Sequence, residues 1–285
     1  MQEGLMAGDN SQQIQEWNGA VGAHWVTEQE TMDALIRPFG AAALRAAAPQ
    51  PGERILDVGC GCGDTSLALA RAVGPTGRVL GLDVSAPMLG LARQRASGVA
   101  NLSFTEADAS KASLTGLFDV LYSRFGVMFF DDPPSAFAHL RKAMKSGGRL
   151  AFACWQGPRE NPWASVAAAA ARQAAALPAP QTDPNAPGPF AFADCDRVKG
   201  ILETAGFRDV QAEAFEALVQ IGASARGAAE MASRIGPVSR VFRDTPVDKH
   251  PAMLAAIEAA LTPHAAADGS VALPGRVWIV TARTG

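Results

Sequence analysis

Residues 55–64 read Ile-Leu-Asp-Val-Gly-Cys-Gly-Cys-Gly-Asp. A short apolar strand pattern runs directly into a carboxylate, Asp57, and three alternating glycines, Gly59, Gly61 and Gly63. A helical pattern follows at once, Asp64-Thr-Ser-Leu-Ala-Leu-Ala-Arg-Ala-Val. Strand, glycine turn and helix together predict an elbow that cradles a nucleotide. The chain must turn sharply there and let a ligand reach its backbone, where a Cβ would intrude. The spacing narrows the ligand. A dinucleotide fingerprint is G-x-G-x-x-G; from Gly59 this chain runs G-x-G-x-G, with Asp64 where the third glycine would stand. An acid beside the loop repels a pyrophosphate and suits a ligand with a cationic amino-acid end.

Working outward, the landmarks continue in order. Val79-Leu-Gly-Leu-Asp83 reads as a second strand, ending in an acid 20 residues after Gly63. Such an acid accepts hydrogen bonds from ribose hydroxyls. Ser85 is an N-cap candidate for the next helix, with Pro87 in its first turn. Phe104-Thr-Glu-Ala-Asp-Ala109 reads as a third strand, and Phe118-Asp-Val-Leu-Tyr-Ser-Arg-Phe125 as a fourth. Asp132-Pro-Pro opens a helix. Lys145-Ser-Gly-Gly-Arg-Leu-Ala-Phe152 reads as a glycine turn entering strand five. The connections between these landmarks have ordinary loop lengths.

Across residues 50–155 this series resembles the class I S-adenosylmethionine-dependent methyltransferases, with Leu56–Gly63 as their first motif. The runs Asp-Val-Gly-Cys-Gly and Leu-Asp-Val-Ser-x-x-Met-Leu also look like the ubiquinone/menaquinone C-methyltransferase branch. They report cofactor binding and leave the substrate open. The resemblance implies S-adenosyl-L-methionine as cofactor. Gly59, Cys60, Gly61 and Gly63 then form the loop around its methionine part, and Asp57 orients that loop or the amino group. Asp83 holds the ribose, and Val84 and Met88 flank the adenine. Asp108 bonds the exocyclic amine, with Ala109 supplying backbone. Ser123 and Arg124 stand where the family places groups beside the transferred methyl. Arg124 reaches a carboxylate of cofactor or substrate, or forms a surface salt bridge.

Trp17 and Trp25 either line the pocket near the sulfonium, where aromatic faces favour cations, or belong to a helical core stripe. Ile14, Trp17, Val21 and Trp25 share one helical face, which favours the core. His24 is the histidine candidate for a general base, because its ordinary pKa lies near neutrality; the alternative is a surface histidine. His139 reads as structural, and His250 and His264 as surface groups beside prolines. Arg234, Arg240 and Arg243 read as a solvated helix face, the alternative being a site for an anionic substrate.

The chain has 285 residues, 48% hydrophobic and 19% charged, with net charge −3. That composition is globular, and no basic stripe or Asn-Pro-Pro-Tyr run marks a nucleic-acid substrate. The start, Met1-Gln-Glu-Gly-Leu-Met6, lacks a signal-peptide pattern, and no apolar run is long enough for a membrane span. Four cysteines, Cys60, Cys62, Cys154 and Cys195, form neither a disulfide framework nor a metal-ligand spacing. A reducing cytoplasm and no metal are expected.

Alternating strand and helix over 55–155 predicts an α/β, Rossmann-like, doubly wound sheet. The resemblance makes it seven-stranded, with an antiparallel last strand and a helical lid. A single domain is expected over 1–285: a helical cap at 1–48, the cofactor-binding core at 49–155, and a linker, helix and sixth strand at 156–222. A helical lid insertion at 223–268 and the last strand at 269–285 complete it. Residues 33–48 read as a helix interrupted at Pro38, and 177–190 as a proline-dense loop.

The expected activity is methyl transfer to a small molecule, an apolar or aromatic metabolite. Two other readings stay open: a protein that binds S-adenosylmethionine or S-adenosylhomocysteine without turnover, and a nicotinamide-dependent oxidoreductase. The acceptor atom and oligomeric state, a homodimer included, are not readable from the chain.

Overall fold

A computed structural model describes residues 10–178 and 183–285. The reading of Met1–Met6, and residues 179–182 of the proline-dense loop, lie outside the described residues. Two compact units emerge where one domain was expected. The first comprises the described residues up to Trp155, with Asn185–Phe215 and Val277–Gly285; the second comprises the described parts of Gln156–Pro184 and Glu216–Arg276.

The first unit opens with helices α1 (Ser11–Asn18), α2 (Ala20–Thr27) and α3 (Gln29–Ala47). Gly19 breaks the expected N-terminal helix between α1 and α2. Gly22 serves packing instead: a Cβ there would stand 2.7 Å from Ser85 Oγ. The interruption expected at Pro38 does not occur; α3 runs through it. The ring removes one helical hydrogen bond, while Leu35, Ile36, Phe39 and Ala43 bury the helix face on both sides of it.

Strand and helix then alternate: β1 (Arg54–Val58), α4 (Asp64–Val73), β2 (Arg78–Asp83), α5 (Ala86–Arg95), β3 (Leu102–Glu106), β4 (Phe118–Arg124), α6 (Pro133–Arg141) and β5 (Met144–Trp155). The glycine turn expected before strand five is absorbed into β5, where the pairing with β4 shifts register between Phe118 and Val120. Ser85 caps α5, accepting from Met88 N–H, and Asp132 caps α6, accepting from Ser135 N–H. In the second unit α7 (Pro162–Ala174) gathers α9 (Ala225–Arg234), α10 (Gly236–Arg243) and α11 (His250–Leu261), while α8 (Cys195–Thr204), capped by Asp194, belongs to the first. Strands β6 (Phe207–Gly222) and β7 (Val271–Thr284) complete one seven-stranded sheet, ordered β3-β2-β1-β4-β5-β7-β6. The pairs linking β3, β2, β1, β4 and β5 are parallel, and β7 runs antiparallel to β5.

Strand order reverses between β1 and β4, and ligands of open α/β sheets bind beyond the strand ends at such a switch. Register explains the burial of Asp57, which lies between Gly81 of β2 and Tyr122 of β4 in the middle of the sheet.

Met253, Ile257 and Leu261, four residues apart, form the buried face of α11. Three helices, α9, α10 and α11, fill the segment expected to be a helical insertion. His250 is no simple surface group: its Nε2 lies 2.9 and 3.0 Å from the carbonyls of Phe242 and Thr245. Arg234, Arg240 and Arg243 are exposed.

Candidate cofactor site at the glycine loop

Gly59, Gly61 and Gly63 take φ values of 68°, 53° and 84°. The left-handed region admits glycine at little cost. The structure sharpens the reason for these residues. A Cβ on Gly59 would stand 2.6 Å from Gly126 Cα, and one on Gly61 2.8 Å from Met88 Cε. The side where side chains would project is filled by the protein itself. The glycines thus let the loop lie flat against the β4–α6 connection and α5.

Asp57 fixes the start of α4. One carboxylate oxygen accepts from Thr65 Oγ1 at 2.8 Å and Ser66 Oγ at 2.6 Å. The other oxygen is buried with no hydrogen-bond partner. Burial pushes the Asp57 pKa up to about 6, against the lowering effect of the two hydroxyls. At the end of β2, Asp83 accepts from the backbone N–H of Gly61 at 2.7 Å and of Ser85 at 2.9 Å. Burial also raises its pKa, and these amides partly offset the rise.

Asp108 lies in the loop after β3 and is buried. Its Oδ1 accepts from Ser110 N–H at 2.9 Å and Asn10 Nδ2 at 3.3 Å. Its Oδ2 lacks a hydrogen-bond partner, with Lys111 Nζ 3.8 Å away. Asn10 also donates its backbone N–H to Asp131 at 2.6 Å, fastening the start of α1 to the same side. Asn18 continues the attachment, donating to the Val84 carbonyl at 2.7 Å and accepting from Ala86 N–H at 2.9 Å. Six buried side-chain polar atoms lack a partner among the described residues. Four of them, on Asn10, His24, Asp57 and Asp108, sit on the elements around this loop. Such groups are rare in folded proteins and ask for an explanation. Acceptors on Asp57 and Asp108 fit the ammonium and exocyclic amine that the resemblance assigns to them.

Cys60 and Ser123 make contacts that hold the loop. The Cys60 thiol is packed toward β2: a Cβ on Gly81 would stand 2.9 Å from its sulfur. Burial raises the Cys60 thiol well above its ordinary pKa and pushes Cys62 up to about 12, so both are neutral thiols near pH 7. Ser123 Oγ donates to the Val58 carbonyl at 2.8 Å and accepts from Gly126 N–H at 3.1 Å. Met88 and Ala109 are buried, and Val84 is half-buried. Trp17 meets Trp25 edge-on at 6.1 Å and Phe129 at 5.2 Å, and its carbonyl accepts from Ser85 Oγ at 2.8 Å. His24 is half-buried on α2, its Nε2 without a partner.

Arg124 is neither a surface group nor a side chain awaiting a carboxylate. It donates to Asp33 and to Asp64, both at 2.9 Å. Arg95 contacts the same two acids at 3.2 and 3.6 Å and donates to the Cys62 carbonyl at 2.6 Å. Two guanidiniums and two carboxylates alternate around a square that joins α3, α4, α5 and β4. Burial opposes the charge on Arg124, but Asp33 and Asp64 outweigh it and its pKa rises. Asp33, Arg95, Asn10 and Asn18 carry no signal in the sequence. Their partners lie up to 121 residues away, so no local pattern reveals them.

Residues 55–148 match a family model described as "Methyltransferase domain". Over 121 residues the chain is 34% identical to the aklanonic acid methyltransferase DauC of Streptomyces sp. (strain C5), covering 41% of this chain and 55% of that protein. Over 103 residues it is 40% identical to the ubiquinone/menaquinone biosynthesis C-methyltransferase UbiE of Stutzerimonas stutzeri (strain A1501), covering 35% and 40%. The matches thus span about half, or less, of these relatives' own lengths. The crystal structure of the YcgJ protein from Bacillus subtilis shares the fold at TM-score 0.55 and 17% identity, covering 86% of this chain and 97% of that one. Domain match, glycine loop, strand-end acids and sheet order agree: residues 55–148 match a methyltransferase domain, and the elements around them resemble those of the class I S-adenosylmethionine-dependent methyltransferases.

Proposed function

We propose that this protein transfers a methyl group from S-adenosyl-L-methionine to a small-molecule acceptor, an apolar or aromatic metabolite. The observation that carries the reading is the pairing of Asp83 with the Gly61 amide beneath three left-handed glycines. It preorganises a loop and a strand-end acid in the arrangement a nucleoside with an amino-acid tail requires. When bound, the cofactor would supply a methyl carbon on a sulfonium, with an electron pair of the acceptor replacing the C–S bond and S-adenosylhomocysteine as the leaving product.

The chain's own residues bind and orient. Asp57 offers its unpartnered oxygen to the amino group while its other oxygen holds α4 in place. Asp83 accepts from the ribose hydroxyls through the lone pairs its two amide partners leave. Val84 and Met88 bound the adenine, and Asp108 accepts from its amine. Trp17 and Trp25, on the cap fastened through Asn10 and Asn18, help to exclude water. Arg124 takes the role of a positioning residue, because both its carboxylate partners are within the protein. His24 stays the candidate for removing an acceptor proton, on its unpartnered Nε2.

Calorimetric titration with S-adenosylmethionine and S-adenosylhomocysteine tests binding, and a labelled-methyl screen tests turnover. Low-micromolar binding with methyl transfer supports the proposal. Binding without turnover on any acceptor favours a non-catalytic binder, and binding of nicotinamide cofactors alone overturns both.

A further inference from the structure

The connection after β4 contains a conformational oddity that cofactor binding does not explain. Ser123 and Gly126 are fixed to the glycine loop through the Val58 carbonyl and the close approach to Gly59. Between them, Phe125 has φ 64°. Five non-glycine residues among those described have positive φ, and Phe125 is the aromatic one beside Asn10, Ala48, Ala176 and Asp209. A bulky residue in the left-handed region is strained, and such strain persists only where its surroundings impose it. The left-handed turn sets the Phe125 ring flat on Trp155, with centroids 4.4 Å apart and planes inclined by 6°.

Phe39 of α3 braces the pair edge-on, at 5.0 Å from Trp155 and 6.2 Å from Phe125, and meets Phe215 at 6.1 Å. Phe39 and Trp155 are buried, whereas Phe125 and Phe215 are half-buried. Phe39 and Trp155 are thus fixed by burial, and Phe125, one residue past the carboxyl end of β4, keeps part of its surface exposed. The neighbouring cation, Arg124, is committed to Asp33 and Asp64.

We infer that the Phe125–Trp155 stack is the acceptor subsite, a platform for a planar aromatic ring, and that Phe125 determines acceptor specificity. This rests on the methyl-transfer reading and narrows its acceptor class. Parallel aromatic faces favour another offset-stacked ring over a saturated ring of equal size.

Calorimetry on the whole protein saturated with S-adenosylhomocysteine tests the inference, using 2-naphthol and its saturated analogue 2-decalol as probes. The expected result is affinity for 2-naphthol about tenfold above that for 2-decalol. Phe125→Leu abolishes that preference and Phe125→Tyr keeps it, while the affinity for S-adenosylhomocysteine is unchanged in both. Equal affinity for the two probes in the wild type, or no binding of 2-naphthol, overturns the inference even if a variant fails to fold. An unaltered preference in folded Phe125→Leu also overturns it, since a residue of purely structural use would shift the melting temperature and leave the preference intact. Failure of the wild type to bind S-adenosylhomocysteine instead refutes the methyltransferase reading, and this inference falls with it.

Discussion

The carboxylate of Asp83 accepts a hydrogen bond from the backbone N–H of Gly61 at 2.7 Å. The acid that ends the second strand thus holds the loop that follows the first. Asp83→Ala removes the acceptor for Gly61 and for Ser85 N–H together. Its S-adenosylhomocysteine affinity is expected to fall at least about tenfold, since hydrogen bonds to charged groups contribute roughly 1.5–3 kcal/mol each. Asp83→Asn keeps one acceptor oxygen and should lose less. Calorimetric titration of both variants checks the order, and equal losses would contradict it.

Arg124 is expected to matter for stability. Arg124→Met leaves Asp33, 7% exposed at its side chain, without its 2.9 Å partner. Removing one member of a buried pair costs about 3–5 kcal/mol. Arg95 also contacts Asp33, so the lower end of that range is expected. Urea unfolding measures the loss. In a variant that still folds, an unchanged KM for the acceptor would separate positioning from substrate binding.

Asp57 supplies a pH test. Its folded pKa of about 6 lies above the ordinary 3.8. The folded state therefore holds a proton that the unfolded state has released between those values. The associated stability is fully present below pH 3.8 and is lost as pH rises through 6. At one pKa unit per 1.36 kcal/mol the difference is about 3 kcal/mol. Asp57→Asn should accordingly gain stability relative to wild type between pH 4 and pH 7, by urea unfolding at each. A cationic amino group beside the free oxygen lowers this pKa, so ligand binding near pH 5.5 should release a proton. Calorimetry in buffers of different ionisation enthalpy detects it, and proton uptake would contradict the assignment.

Two glycines separate backbone strain from close approach. Gly98 has φ 83° and nothing within 4 Å of where a Cβ would stand, whereas Gly59 has φ 68° and Gly126 Cα at 2.6 Å from that point. Gly98→Ala should cost about 1 kcal/mol, from left-handed strain alone. Gly59→Ala adds a backbone clash that only movement of the β4–α6 connection relieves, and should also abolish cofactor binding. Melting temperature and titration of the two variants test the distinction.

The chain from Ile55 to Trp155 is legible because its signals are local. A strand entering alternating glycines, Ser85 before Pro87 and Asp132 before two prolines each act within a few residues, and the first glycine turn and both caps form as read, while the second glycine turn is absorbed into β5. The seven strands and the antiparallel last one follow from the family resemblance. Pro38 misleads for the opposite reason: the apolar face of α3 outweighs the one hydrogen bond the proline removes.

The sequence by itself determined which residues could build the loop and the strand-end acids, because glycine conformation and carboxylate chemistry belong to the residue wherever it lies. Tertiary structure alone decided what each polar group is used for. Arg124 stands at the active-site end of β4 in any reading, but Asp33 and Asp64, 91 and 60 residues away, claim its charge. Phe125 is one more apolar residue in the chain, and only the packing of Trp155 and Phe39 holds it in a left-handed turn as a half-buried ring. Charge pairing and ring stacking depend on distances of a few ångströms between residues distant in sequence, and folding is what sets those distances.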